Sequence, residues 1–523
     1  MPCYTGAPVG RVQPHATTGE GRRNPLRTHP RGLLTLAGTE LNERISFYGM
    51  RAILVLFLGA AIAEGGMGLG TGTATAIVGL YMALSYFATL PGGWIADRVL
   101  GQRRTVLVGG IIIMLGHISL AIQLGDLFVW GGLILVCVGT GFLKPNVTSM
   151  VGKLYADDTD ARRDAGYSLY YMAINIGSAI GLFVVGYIGE VVSWHIGFGV
   201  AALGMALGLV SYVLGQKGLG DAGKAPGQPL TAADRAAMVK WIAIGAVVVV
   251  AAVVASAATG TLSVDNVTYV LTALAVVVPI LYFINMFVVK RDQIVGDERT
   301  KLTAFMWLFI ASAVFWMIFD QAGGTLTLFA KHDVDLNFSG FHIPAGWTQA
   351  ANPVMVILFS GVFALMWTKL GNRVSTPAKF SFALVVAGLS FVLMSAASAA
   401  TEGGTVKVSL LWLVGVYLLL TIAELSLSPV GLSMTSKLAP KAFAGQMMGL
   451  FFLSTAAGDA VGAQVSRLEP VLGGTYYLGL GLLAVVCGIA LSLFIGKLRV
   501  LMNEQRTDEG AAELQPSSPG RGD

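Results

Sequence analysis

The stretch LTLAGTELNERISFYGMRAILVLFLGAAIA, residues 34–63, is long enough to cross a lipid bilayer as one helix. A helix rises 1.5 Å per residue, and the hydrocarbon core of a bilayer is about 30 Å thick. Six side chains, four of them charged, share one face of this helix, and the opposite face is almost wholly apolar: Glu40, Glu43, Arg44, Phe47, Tyr48 and Arg51. A charge near the bilayer centre costs about 2.5–3.5 kcal/mol, so intramembrane charges indicate an ion or substrate pathway. The alternative, in which the charges lie at a helix end and reach the lipid headgroups, is disfavoured because Arg51 lies well inside the span.

The composition excludes a soluble domain, since 55% of the residues are hydrophobic, 12% are charged and the mean hydropathy is +0.71. Apolar spans of about 20 residues recur along the chain, and we predict fourteen membrane helices with both termini on one side. Placing the termini inside leaves nearly all of the 34 Lys and Arg residues on the cytoplasmic side, which follows the positive-inside rule. The net charge of +5 therefore reports orientation and gives no evidence for nucleic-acid binding. We expect a multi-pass protein of the cell (inner) membrane, embedded in the lipid bilayer, with both termini in the cytoplasm.

The polar intramembrane residues are distributed unevenly along these spans. They lie in the six spans before and the six spans after a Gly-, Ala- and charge-rich segment and two uncharged spans. This pattern predicts an all-α polytopic protein with two six-helix bundles and an inserted two-helix hairpin, and paired bundles are typical of alternating-access carriers. The predicted division is a disordered N-terminal tail at 1–32, an N-terminal bundle at 33–215, a cytoplasmic linker at 216–236, the hairpin at 237–290, a C-terminal bundle at 300–498 and a disordered tail at 500–523.

A glycine- and arginine-rich turn, GGWIADRVLGQRR at 92–104, joins the second and third spans. Its two outer glycines permit a tight turn, and its acidic residue stands at a helix end. The spacing resembles the cytoplasmic loop signature of the major facilitator superfamily. The residues that carry this resemblance are Gly93, Asp97, Arg98, Gly101, Arg103 and Arg104. The signature implies that fold and carries no information about the substrate.

Later spans add further charged residues to those of the first helix. In total, four intramembrane acids face three bases: Glu40, Glu43, Asp320 and Glu424 against Arg44, Arg51 and Lys144. Seven unpaired groups would cost roughly 20 kcal/mol, so they must pair with one another or line a wet cavity. The surplus carboxylate can take up a proton and so free its basic partner. A cavity with cations on one wall and an acid on the other suits a zwitterionic dipeptide, and Asn175 and Asn352 can hydrogen-bond to its amide or amino group.

Five motifs resemble, in order, those of the proton-dependent oligopeptide transporter family. They are ELNERISFYGMR at 40–51, the turn at 92–104, FLKPN at 142–146, YSLYYMAINIGSAIG at 167–181 and AELSLSPVGLS at 423–433. The resemblance covers residues 33–498. It implies a secondary active transporter that takes up di- and tripeptides with protons by alternating access. Such a carrier acts as a monomer and needs no cofactor, because the proton gradient drives it.

The resemblance also implies roles for individual residues. Substrate binding would fall to Arg44 and Lys144 at the peptide carboxylate, to Glu424, Asn175 and Asn352 at its amino end, and to Tyr48, Arg51 and Tyr86 along the cavity wall. Proton coupling would fall to Glu40, Glu43, Arg44, Arg51 and Asp320. Arg51 with Asp320 would form an outer gating salt bridge, and Lys144 with Glu424 a cytoplasmic one.

The chain departs from the family pattern at a few positions. Phe47 replaces a Tyr of the first-helix motif, Phe451 stands where Trp is frequent, Asp320 stands where Glu is common, and Gly79 occupies the position of a histidine in animal relatives. Two alternatives therefore stay open: a proton-coupled carrier of another small substrate, such as a peptide-like conjugate, amino acid or anion, and an exporter. An intramembrane enzyme is disfavoured because no nucleophile–base or metal-binding motif is suitably placed. A nutrient sensor is disfavoured because it needs no surplus carboxylate.

Overall fold

The computed structural model describes residues 29–155, 160–227, 229–440 and 444–502, which are almost wholly helical. The first half contains α1 Arg31–Gly59, α2 Thr71–Phe87, α3 Thr89–Ile95, α4 Gln102–Ala121, α5 Asp126–Leu154, α6 Asp160–Tyr187 and α7 Trp194–Gly215, followed by α8 Ala232–Ala258 and α9 Val264–Ile284. The second half contains α10 Asp297–Phe319, α11 Thr325–Asp333, α12 Ala351–Leu370, α13 Thr376–Ala399, α14 Leu411–Leu438, α15 Ala444–Val465, α16 Glu469–Leu472, α17 Gly474–Leu493 and α18 Ile495–Leu501. Four two-residue strands are β1 Val334–Asp335, β2 Asn337–Phe338, β3 Phe341–His342 and β4 Val408–Ser409, paired as β1–β4 and β2–β3. Most of both predicted tails lies outside the described residues.

The described helices confirm a polytopic membrane architecture. Twelve helical segments within the described residues are long and apolar enough to cross a membrane. Two further helices, α1 with 29 residues and α15 with 22, are also of spanning length but are not among these twelve. The total of fourteen spans therefore stays a prediction.

The helices pack as two groups of six that repeat the same pairings. In the first half, α1 packs against α6, and α4 packs against α5 and α7; in the second half, α10 packs against α15, and α13 packs against α14 and α17. Between the halves, α2 contacts α15 and α6 contacts α12. These four helices form the interface between the two groups, and α1 also contacts α11 of the second half.

The inserted hairpin is not uniform. Helix α8 is exposed along nearly its whole length, as a lipid-facing helix would be, whereas α9 packs against both α2 and α15. Asp265 at the start of α9 joins the two halves, because its Oδ1 lies 2.7 Å from Arg467 Nη1 and accepts from Thr73 Oγ1 at 3.2 Å. The sequence predicted lipid-facing packing for both hairpin helices, and α9 is in addition a bridge across the interface.

Two glycines of α6 set how closely this helix approaches the charged helix α1. A Cβ atom on Gly177 or Gly181 would lie well inside van der Waals contact with the backbone oxygens of Leu41 and Ile45, respectively. Backbone atoms cannot move aside as the end of a flexible side chain can. Small residues in membrane helices permit this kind of close packing. The two glycines therefore allow the backbone of α1 to pack directly against α6.

We expect Gly181→Val to destabilise the protein by about 1–3 kcal/mol, the usual cost of overpacking a well-packed contact. Gly131→Val is the matched control, since Gly131 is also within a helix but a Cβ atom added there would have no neighbour within 4 Å. Thermal unfolding of the two purified variants in the same detergent checks the difference. Equal losses of stability would show that the α1–α6 contact is not what makes Gly181 sensitive.

Candidate transport site

The charged residues of α1 form a buried cluster around Arg44. Arg44 Nε lies 3.2 Å from Glu40 Oε1, and Arg44 Nη2 also contacts Glu43 Oε2. All three side chains are nearly inaccessible to solvent. The aromatic rings of Phe47 and Tyr48 lie with their centroids 5.0 and 5.9 Å from Arg44 Cζ. Helical spacing alone brings one cation between two carboxylates, which the sequence predicted for this helix.

A second buried ion pair joins the two six-helix groups. Arg51 Nη1 on α1 lies 3.0 Å from Asp320 Oδ1, and Arg51 Nη2 donates to the Asp320 backbone oxygen at 3.5 Å. Asp320 stands where the chain stops being α-helical: α10 ends at Phe319, a short 3₁₀ turn covers Asp320–Gly323, and α11 begins at Thr325. Discontinuous helices of this kind commonly form the sites of transporters. The pair is formed as predicted from the sequence, while its action as a gate stays a prediction.

A small cavity lies beside this pair. The wall combines a cation, hydroxyls and amides with apolar side chains, and its residues are Tyr48, Arg51, Leu182, Phe319, Ala322, Gln349, Asn352, Pro353, Tyr417 and Leu420. Three of the predicted substrate residues, Tyr48, Arg51 and Asn352, are therefore brought together here.

The other predicted substrate residues occupy the surroundings of the cavity. Asn352 donates from Nδ2 to Glu424 Oε2 at 2.9 Å, which fixes that carboxylate. Lys144 Nζ lies 3.9 Å from the ring centroid of Tyr86. Asn175 is buried, and its Nδ2 donates to the backbone oxygen of Tyr171 in its own helix at 2.9 Å.

The predicted cytoplasmic bridge is not formed in this structure. Within the described part of the chain, no ion pair links Lys144 to Glu424, because the lysine lies over Tyr86 and the carboxylate accepts from Asn352. Of the two predicted bridges, the structure contains the pair between Arg51 and Asp320. The bridge between Lys144 and Glu424 stays a prediction for the opposite state.

The superfamily loop motif lies at the other end of the first six helices, where it holds the linker after α7. Arg103 contacts the backbone oxygen of Gly220 through Nη2 and donates from Nε to that of Ala222 at 2.8 Å. Gly101 adopts a φ of 79°, a conformation that favours glycine. Asp97 and Arg104 are exposed, Gly93 has open space beside it, and Arg98 accepts through its backbone oxygen from Leu230 N at 3.2 Å. The motif therefore fastens the linker to the helices, a role that its spacing alone did not indicate.

Three residues at the interface were not selected by the sequence analysis. Glu190 accepts at 3.0 and 3.3 Å from the backbone N–H groups of Ala345 and Gly346, across the two halves. Trp347 donates from Nε1 to the Phe183 backbone oxygen at 2.8 Å, also across the halves. The third residue is Asp459, a buried acid in α15. The intramembrane-charge rule that selected Asp320 would also have found Asp459, whereas Glu190 and Trp347 carry no such signal.

Two departures from the family pattern can be located. Phe47 is 2% exposed and does not line the cavity beside Arg51. A Cβ on Gly79 would lie 2.7 Å from Ala463 Cβ, so α2 and α15 approach too closely for a histidine at this position.

Two six-helix groups with buried ion pairs at their interface define a carrier of the major facilitator type, and solved structures agree. One is a peptide transporter POT in complex with sulfate, with a TM-score of 0.87 and 41% identity, covering 92% of this chain and 97% of that chain. Another is a POT family transporter in complex with 5-aminolevulinic acid, with a TM-score of 0.85 and 35% identity, covering 90% and 97%.

The sequence profile of the POT family, PTR2, matches residues 103–471. The chain belongs to this family. It is 38% identical over 487 residues to the di-/tripeptide transporter of Lactococcus lactis subsp. cremoris, covering 91% of this chain and 97% of the relative. It is 43% identical over 463 residues to the uncharacterized transporter YclF of Bacillus subtilis strain 168, covering 88% and 92%.

Proposed function

We propose that this protein is a symporter that takes up di- and tripeptides together with protons by alternating access. The observation that carries the proposal is the buried pairing of Arg44 with Glu40 and Glu43, and of Arg51 with Asp320, beside a cavity with polar and apolar walls. Membership of the POT family and likeness to a relative named a di-/tripeptide transporter support the peptide as substrate. The carrier is proposed to need no cofactor, because the proton gradient supplies the energy.

The peptide is proposed to bind by its two charged ends. Its carboxylate would meet Arg44 and Lys144, and its amino group would meet Glu424, which Asn352 already orients. Charge-assisted hydrogen bonds are stronger than neutral ones, so this arrangement favours a zwitterion of limited length. Tyr48 supplies a ring and a hydroxyl at the cavity wall between the two arginines.

Coupling is proposed to act through competition for the buried cations. A proton on Asp320 removes the charge that holds Arg51, and a proton on Glu43 leaves Arg44 available to the peptide carboxylate. The two six-helix groups then rock about the central site, and the formation of the Lys144–Glu424 pair closes the opposite side. The chain is proposed to work as a monomer in the cell (inner) membrane, with both termini in the cytoplasm.

The first experiment is uptake of labelled dialanine into proteoliposomes, with and without an imposed inward proton gradient. We expect the gradient to stimulate uptake and excess unlabelled peptide to block it. Competition by free alanine and by small organic anions distinguishes a peptide carrier from a carrier of another substrate. Absence of dialanine uptake by protein that is shown to be folded would overturn the peptide assignment.

A further inference from the structure

Asp459 is a buried acid to which the charge network described above assigns no role. It lies in α15 with 2% of its surface exposed, and both carboxylate oxygens are buried without a hydrogen-bond partner. It lines a second small cavity, and Asp320 lines the same cavity together with Thr75, Gln321 and Ser466.

One cation, Arg51, makes an ion pair with this pair of carboxylates. Arg51 contacts both the side chain and the backbone oxygen of Asp320. Asp320 Oδ1 is paired with Arg51, whereas Asp320 Oδ2 is buried without a hydrogen-bond partner. Among the described residues, no ion pair is made to Asp459. The other charged or titratable groups near Asp459 are Lys144 from α5 and Tyr86 from α2. Two further helices that pack against α15 carry acids that already have partners. Asp265 of α9 pairs with Arg467, and Glu424 of α14 accepts from Asn352.

It is energetically costly for both carboxylates to be charged in this buried site, because only one guanidinium pairs with them. Taking an unpaired carboxylate out of water costs several kcal/mol even after relaxation, and a second negative charge beside Asp320 adds repulsion. Pairs of this kind share one proton and titrate together. The orphan oxygens of both residues then become a donor and an acceptor: a protonated Asp459 donates its O–H to Asp320 Oδ2.

We propose that Asp459 is a proton-binding residue of the transport cycle that shares its proton with Asp320. This inference rests on the proposed function and adds to it a second carboxyl group in the same six-helix group as Asp320. With one proton the pair carries a single negative charge, which Arg51 balances. A second proton neutralises Asp320 and releases Arg51, so opening of this bridge requires that the pair be fully protonated.

The direct test is infrared spectroscopy of the purified protein in lipid, following the C=O stretching band of protonated carboxylic acids during a pH titration. We expect Asp459→Asn to lose a band that the wild type shows at neutral pH. Asp320→Asn should lose it as well, because Asp459 then ionises as the counter-ion of Arg51. Asp126→Asn, which removes an exposed carboxylate at the start of α5, should keep it. A band unchanged in Asp459→Asn would overturn the proposal.

A second readout follows transport. Peptide counterflow should decline with rising pH more steeply in the wild type than in Asp459→Asn, because opening takes two protons on the pair in the wild type and one, on Asp320, in the variant. An identical alkaline decline in both proteins would contradict the proposal. The symporter and the shared proton can be rejected independently. Absence of peptide uptake by the wild type would reject the symporter, whereas the infrared band would still report whether Asp459 and Asp320 share a proton.

Discussion

Glu43→Gln is expected to abolish concentrative peptide uptake while leaving peptide counterflow intact. The amide has nearly the shape of the carboxyl group and can still accept from Arg44, so the binding site should persist. The amide cannot take up and release a proton, so the proton gradient can no longer drive peptide accumulation. A potential of 100 mV contributes about 2.3 kcal/mol per charge moved, which corresponds to roughly fiftyfold accumulation per proton. We expect this accumulation to fall to equal concentrations on both sides.

Glu64→Gln is the matched control for this variant. Glu64 is exposed in the short turn after α1, so its replacement should leave both uptake and counterflow unchanged. Both activities are measured in proteoliposomes with the same amount of inserted protein. If Glu43→Gln lost uptake and counterflow to the same degree, the residue would be needed for binding or folding and would not be the coupling group.

Arg44→Gln is expected to remove both uptake and counterflow and to destabilise the protein. Glu40 and Glu43 would remain buried without their common cation, and breaking a buried pair in this way typically costs about 3–5 kcal/mol. The proposed ligand of the peptide carboxylate would also be lost. Thermal unfolding in detergent measures the first effect, and counterflow in proteoliposomes measures the second.

Two further variants separate these effects. The double variant Arg44→Gln with Glu43→Gln leaves fewer unpaired charges, so we expect it to regain stability without regaining transport. Lys240→Gln removes an exposed positive charge on α8 and should change neither quantity. Counterflow at the wild-type rate in a stable Arg44→Gln protein would reject Arg44 as a substrate ligand.

The sequence was most informative where one helix carries the whole pattern. The cluster around Arg44 lies within one short stretch of α1, since Glu40 stands four residues before Arg44 and Glu43 directly before it, so the local sequence is sufficient to predict it. The pairing of Arg51 with Asp320, 269 residues away, was predicted only through the family resemblance. No local rule gives a contact between distant helices, because the packing of the two halves decides it.

The residues that were missed show the same limit. The bond from Trp347 to the Phe183 backbone oxygen and the contacts of Glu190 with backbone N–H groups depend on how α6 meets the start of α12. Side-chain-to-backbone bonds between halves leave no periodic signal in a single sequence. Asp459 is different, because an acid inside an apolar span is visible in the sequence and only its neighbour Asp320 required the structure.

Contacts of different chemistry hold the two halves together near the C-terminal end of α1. A proton that neutralises Asp320 weakens the bond to Arg51, but the bond between Trp347 and Phe183 has no titratable member and Glu190 stays against its backbone donors. We therefore expect protonation by itself to leave the passage shut, so that the binding energy of the substrate has to supply the rest. A carrier built in this way would not short-circuit the membrane potential when peptide is scarce, because protons without cargo would meet a barrier that they cannot remove alone.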